Sequence, residues 1–292
     1  MVGRTNVGGS GGASWDNAVI HIYAPAGSVI TATKGGVTKP VKEHIILGQA
    51  SEYFFYVKPA DFGEWTISAT HTTWGTTSKS VTIASNIEYL VRLDTRVPWA
   101  YQEVEYAQST GAQKLEINYV TKQETVYHCK AEYTELNTSF SNQQTIFGNG
   151  GNGAHLSWNG WSIKKLDTSF GNAYMSNGGL TIAVNTLYDV EMSESHTIIN
   201  GVEYSLTSSG VVSSTRRIFV FDDNEDSGGS NMKSKSKVHA LSAEENGILV
   251  LDLVPCYLKS NPSTCGMFDT VNHHLYENIG TGNLIMGADV VI

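Results

Sequence analysis

The chain has 292 residues, enough for two domains that each bury a core, and its 29 glycines, 14 tyrosines and 6 tryptophans fit a turn-rich β protein better than a helical one. A formal charge of −9 and a pI near 5.4 repel a phosphate backbone, and the one basic run, Lys233-Ser-Lys-Ser-Lys237, is short, so nucleic acid is not expected as a partner. No apolar stretch approaches the roughly 18 to 20 residues that a bilayer span needs, and the first nine residues lack the apolar core of a signal peptide, so neither membrane insertion nor secretion is expected.

Residues 1–17 are glycine-rich with almost no apolar pattern, which predicts an arm that takes its order from outside the chain, as an attachment strap to another subunit would. Over 18–95, seven short β segments are predicted at 18–23, 28–33, 41–47, 52–57, 64–71, 76–83 and 87–93. Turn chemistry separates them at Lys34-Gly-Gly36, Pro59-Ala-Asp-Phe-Gly63 and Trp74-Gly75. Trp65, Ile67 and Ala69 alternate with Thr66, Ser68 and Thr70, the two-residue period of a half-buried strand, and the spacing predicts a small β-sandwich. The stretch Gly63-Glu-Trp-Thr-Ile-Ser-Ala69 resembles the pattern before the last strands of Ig-like and carboxypeptidase-regulatory-like modules of phage and surface proteins.

Arg96-Val-Pro-Trp-Ala100 reads as a short stiff joint, because proline holds Val97 extended. Over 96–292, strand signals alternate with Gly/Asn turns. Asn159-Gly160 between Leu156-Ser-Trp158 and Trp161-Ser-Ile163, and Asn200-Gly201 between 196–199 and 202–206, both fit the two-residue type I′ hairpin turn, whose central positions need positive φ. About a dozen such strands predict a two-sheet jelly roll. The region opens on Tyr101-Gln-Glu-Val-Glu-Tyr-Ala-Gln-Ser-Thr-Gly-Ala-Gln113. It closes on Asp252-Leu-Val-Pro-Cys256, Gly266-Met-Phe-Asp269 and Asn278-Ile-Gly-Thr-Gly282. This ordered set resembles the concanavalin A-like (laminin G-like) jelly-roll module of bacteriophage virion proteins. The resemblance covers residues 99–287 and implies a fold and a setting more than an activity. The expected fold is therefore all-β, a small Ig-like β-sandwich over 18–95 followed by a concanavalin A-like jelly roll over 96–292.

Three cysteines leave at least one unpaired within the chain. Cys256 and Cys265 could close a loop across a hairpin, but the expected role for all three is that of small buried hydrophobes. No paired Cys/His spacing for zinc is present.

Gly148-Asn-Gly-Gly-Asn-Gly153 spells the dinucleotide fingerprint, but a strand pattern follows it where a helix must, so it is expected to be a hairpin loop. Gly8-Gly-Ser-Gly-Gly12 lies in the arm, with no strained elbow to hold a nucleophile. Concanavalin A-like folds include glucanases that use two carboxylates on one strand, for which Glu103 and Glu105 are the nearest local match. Their Glu-x-Asp-x-x-Glu signature is missing, so the chain is not expected to be an enzyme. Asp222, Asn224 and Asp226 alternate as in a calcium loop, although Ser227 and Lys233 replace the Gly and Glu of an EF-hand. Laminin G-like modules often hold calcium at a loop rim, which makes these three candidate metal ligands, against a solvated acidic loop balanced by Lys233, Lys235 and Lys237. No other cofactor is expected.

Aromatic rings stack on the apolar face of a pyranose while neighbouring polar groups direct hydrogen bonds. Trp158, Asn159 and Trp161 around their Asn-Gly turn, and Trp74 at a Thr-rich turn where exposure is expected, are the candidate glycan ligands, with core packing the alternative for Trp158 and Trp161, since the sequence does not give which way they face. The resemblance implies a multicopy structural component of a virion, made in the host cytoplasm and displayed at a tail tip, baseplate or head. The arm would grip another virion protein, and the jelly roll would engage host-surface glycan weakly, multiplied by avidity. A purely architectural virion protein without ligand is the competing expectation, and a bacterial surface adhesin or glycan hydrolase the third.

Overall fold

The computed structural model describes residues 17–41, 43–47, 50–136, 143–159, 165–175, 180–224 and 232–291. The chain divides between Ala100 and Tyr101 into two units, the second spanning Tyr101–Val290. Among the described residues there is no α-helix, only a single 3-10 turn at Pro59–Asp61.

The first unit is built from β1 (Ala18–Pro25), β2 (Val29–Lys34), β3 (Val37–Val41), β4 (Glu43–Leu47), β5 (Ala50–Val57), β6 (Gly63–His71), β7 (Gly75–Ile83) and β8 (Glu88–Arg92). They form two four-stranded sheets, β4-β5-β1-β8 and β3-β2-β6-β7, with β8 parallel to β1 and the remaining pairs antiparallel. The alternation read from the sequence sets the inner faces. Ala18, Ile20, Ile22 and Ala24 of β1 lie in one core with Ile30 and Ala32 of β2, Trp65, Ile67 and Ala69 of β6, and Val81 and Ile83 of β7. Trp99, in the expected joint, belongs to this core and donates its indole N–H to Leu93 O at 2.8 Å. The 41–47 segment, expected as one strand, is two: β3 ends at Val41 in one sheet, and β4 belongs to the other. The first four residues of β3 are exposed and include Pro40, as suits an edge strand with no inward face to alternate.

The second unit begins with β9 (Tyr101–Glu103), β10 (Ala107–Thr110), β11 (Leu115–Val120), β12 (Thr125–Glu135), β13 (Gln144–Gly148), β14 (Ala154–Asn159), β15 (Lys165–Phe170) and β16 (Ala173–Tyr174). It continues with β17 (Tyr188–Met192), β18 (His196–Ile199), β19 (Val202–Ser205), β20 (Arg217–Val220), β21 (Lys235–Glu245), β22 (Ile248–Leu258), β23 (Asn261–Asp269), β24 (His274–Glu277) and β25 (Ile285–Met286). The larger sheet runs β19-β18-β17-β12-β21-β22-β23-β24, with β9 on β22 and β10 between β21 and β25; the smaller runs β11-β20-β13-β14-β15-β16. Every strand pair in both sheets is antiparallel. Leu115 and Ile117 of β11, Phe147 of β13, Leu156 of β14 and Ile218 of β20 pack against Tyr127 and Cys129 of β12, Leu241 and Ala243 of β21, and Leu251 and Leu253 of β22 in one core. The fold is the all-β pair of sandwiches expected, a small β-sandwich followed by a jelly roll.

The sequence motifs at the two ends of this unit meet in space. Gln113 accepts from Thr110 N at 2.8 Å and donates to Asn283 O at 3.0 Å, while Asn278 Oδ1 accepts from Lys114 N at 3.0 Å and Gly280 N at 2.8 Å. A Cβ on Gly280 would stand 2.3 Å from Ala112 O, so only glycine lets the closing segment lie against the opening one. Asp269, fully buried, accepts from the backbone N–H of Val271 at 3.0 Å and from the Asn272 side chain at 2.6 Å, fixing the β23–β24 turn. The residues that carry the family resemblance are thus clamps of the fold.

Candidate functional site

The described residues do not bring together the candidates singled out in the sequence. Trp158 is 2% exposed and belongs to the jelly-roll core, so it is no ligand platform. The expected Asn159-Gly160 hairpin is also corrected. Asn159 pairs with Lys165 and Trp158 with Leu166, so β14 runs through Asn159 and Trp158 has Leu166, not Trp161, across from it. Trp161, Asp226 and the side chain of Asn159 lie outside the described residues. Trp74, expected exposed, is partly buried against the first unit's core, and its carbonyl accepts from Trp99 N at 3.1 Å. The Asn200-Gly201 turn forms as a two-residue hairpin with φ of +51° and +78°.

Of the candidate calcium ligands, Asp222 and Asn224 lie beyond the end of β20 at Val220, outside any strand, and both are engaged within the protein. Asp222, 1% exposed, accepts from Asp223 N at 2.9 Å and sits 3.8 Å from Lys114 Nζ, whereas the Asn224 amide donates to Arg217 O at 2.9 Å. Among the described residues no group of three His, Cys, Asp or Glu is placed to hold a metal ion. The acidic run instead clamps the Gly148-to-Gly153 segment, which is a β13–β14 connection as expected. Asp223 accepts from Gly150 N at 2.7 Å, and Arg216 donates to Asn224 O at 2.9 Å. Burial pushes the Asp223 carboxyl up to about 6, against the lowering effect of the Gly150 and Asn224 N–H groups and of Arg216.

Glu103 pairs with Cys256 across β9 and β22, and Glu105 is exposed just beyond β9. Cys256 stands opposite Gly266 and Cys265 opposite Tyr257, so the two cysteines project from opposite faces of the sheet and cannot bridge. All three cysteines are buried as free thiols.

A different feature breaks the apolar pattern. Along β21 the inward positions Leu241 and Ala243 are fully buried, and the next, Glu245, is a carboxylate at the open end of the sandwich. Glu245 Oε1 accepts from the Tyr119 phenol at 2.9 Å, and Oε2 from Lys122 Nζ at 2.7 Å. Tyr119 is held by Thr125 Oγ1 at 2.8 Å and packs edge-on against the buried Tyr127 ring, with centroids 6.2 Å apart. Burial and, secondarily, the Glu245 charge raise the Tyr119 phenol far above its ordinary pKa, so it remains a hydrogen-bond donor. The bond to Glu245 raises the Lys122 ammonium likewise.

These groups wall a recess of about 490 Å³ completed by Asn118, Val250, Asn272, His274 and Tyr276. Asn272 is aimed by its bonds to Asp269 and to Val250 O at 3.2 Å, and His274 meets Tyr276 edge-on at 4.6 Å. The recess therefore joins the end of β11 and the β11–β12 connection, the β21–β22 hairpin, and the β23–β24 turn with β24 at one rim. It offers aromatic surface, spare carboxylate lone pairs and spare ammonium donors within a volume suited to a small ligand. Sequence reasoning passed over all of these residues. The available signal was Glu245 in a core-facing register, directly before the hairpin dipeptide Asn246-Gly247.

A second recess, of about 520 Å³, lies on the outer face of the first unit's β4-β5-β1-β8 sheet, among His21, Tyr23, Glu52, Glu88, Leu90 and Arg92. Its polar groups are largely spent on one another. Glu52 accepts from His21 at 2.7 Å and Tyr23 at 3.2 Å, and Arg92 lies over the Tyr23 ring and bonds Asp94 at 2.9 Å.

No family model matches the sequence, and no curated protein matches it. Among solved structures, the chain is similar to a candidate carbohydrate-binding protein from Bacteroides ovatus ATCC 8483, at 12% identity and a TM-score of 0.45, over 94% of each chain.

Proposed function

We propose that the chain binds carbohydrate at the open end of its jelly roll, and does so as one of many copies on a bacteriophage particle. The observation that carries the first part is the inward-facing Glu245, shared between the Tyr119 phenol and the Lys122 ammonium beside aromatic surface. A sugar hydroxyl both donates and accepts, so a carboxylate with lone pairs left over next to an ammonium with protons left over answers it twice. Tyr119 and His274 meanwhile supply flat surface for ring carbons. A carboxylate partly withdrawn from water is costly where an apolar residue would complete the core, and binding accounts for that choice.

The particle setting is suggested by the resemblance of the ordered motifs to those of virion jelly rolls, and the glycine-rich residues 1–17 suit a strap onto another virion protein. Each site would bind weakly, and many copies would multiply the effect.

The test is a glycan array probed with multimerised protein beside its Glu245→Gln variant. Bound glycan that the variant loses supports the reading; a flat array, or equal binding by the variant, contradicts it. Antibody labelling of purified particles tests the setting, and unlabelled particles would contradict that part.

A further inference from the structure

We infer that the recess selects sugars that carry an N-acetyl group, an inference that rests on the carbohydrate reading above. Its basis is the residue that faces Glu245. Across the Asn246-Gly247 turn, Glu245 is paired directly with Ile248, which puts both side chains on the same face of the hairpin, and Ile248 is 67% exposed. Val250, two residues on, is partly buried and lines the recess itself. The wall of the recess therefore sets a carboxylate acceptor beside the partly buried Val250, and at its mouth the largely exposed Ile248 stands directly across from Glu245.

Glu245 retains acceptor capacity on each oxygen after taking one bond from Tyr119 and one from Lys122, because a carboxylate has about four lone-pair sites. A plain hydroxyl gains from that carboxylate and nothing from Ile248. An acetamido group gains from both. Its amide is planar and trans, which places the N–H and the methyl on the same edge and the carbonyl oxygen on the other. An N–H directed at Glu245 thus carries its methyl toward Ile248 and Val250.

Saturation-transfer NMR titrations of the full chain with N-acetylglucosamine, N-acetylgalactosamine, glucose and galactose test this, with Ile248→Ser as the variant. Ile248 is largely exposed, so the substitution leaves the fold intact. The expected result is strongest transfer to the acetamido methyl and about fourfold tighter binding of the two acetamido sugars, the equivalent of one buried methyl group. The Ile248→Ser variant should lose that preference while binding glucose and galactose as before. Equal binding of sugars with and without the acetamido group overturns this inference and leaves the carbohydrate reading standing, as does a preference unchanged in Ile248→Ser. Transfer to none of the four sugars overturns both.

Discussion

At the residue scale, two carboxylates of the jelly roll are drawn from water and treated in opposite ways. Glu245 is matched by a phenol and an ammonium at an open rim, whereas Asp223 is enclosed and held mainly by backbone N–H groups. Burial raises the Asp223 pKa from the ordinary 3.8 to about 6, so the folded state binds this proton more tightly than the unfolded chain does. The sign follows from linkage. Its contribution to stability is greatest below about pH 4, falls as pH rises toward 6, and is flat above that, a change of about 3 kcal/mol. The Asp223→Asn variant removes this dependence, so denaturant titrations at pH 4.5 and 7.5 should show the wild type losing more stability on that interval than the variant. Parallel pH profiles would contradict the burial argument. Trp158 belongs to the same scale. Trp158→Ala should cost about 3 to 5 kcal/mol in urea unfolding, as a cavity in a closed core does, and leave sugar affinity of the folded fraction unchanged. At this scale the sequence was least informative, because whether a tryptophan faces core or solvent depends on strand register, which Asn159-Gly160 misstated. An Asn-Gly pair is a turn signal only where the chain pairs immediately beyond it, as at Asn200-Gly201. Asn159 instead pairs with Lys165.

At the element scale, strand alternation carried most of the fold, because Trp65, Ile67 and Ala69, or Leu241 and Ala243, have nowhere to go but a core. What escaped was what alternation does not encode. β3 is an exposed edge, and the parallel pairing of β8 with β1 is a tertiary choice. Glu245 was overlooked because the period that identifies a core strand says nothing about where the strand leaves the core. The clamps between the opening and closing motifs make a sharp prediction. A methyl at Gly280, 2.3 Å from Ala112 O, forces the two segments apart, so Gly280→Ala should destabilise the jelly roll by roughly 1 to 3 kcal/mol in chemical denaturation. An unchanged midpoint would mean the contact is slack. The β22–β23 register predicts three free thiols after denaturation without reductant, and a melting temperature indifferent to reductant. Thiol titration giving one free cysteine would contradict the opposite-face geometry.

At the scale of the whole molecule, the motifs that resemble virion jelly rolls are structural clamps, which is why they pointed to a fold more surely than to a site. The proposed site lies where the core strands run out, and its aromatic and charged residues come from the ends of β11, β21 and β24 and the β11–β12 connection, which no contiguous motif could reveal. The proposed role asks only weak binding of each copy, because display on a particle raises the effective concentration of the remaining sites. The proposed role depends on where the sugar binds. Hydrogen–deuterium exchange of the full chain with and without saturating sugar measures it directly. Slowed exchange confined to 118–125, 245–250 and 272–276 is the predicted result, and protection around Trp158 or on the first unit's β1 and β5 instead would contradict it.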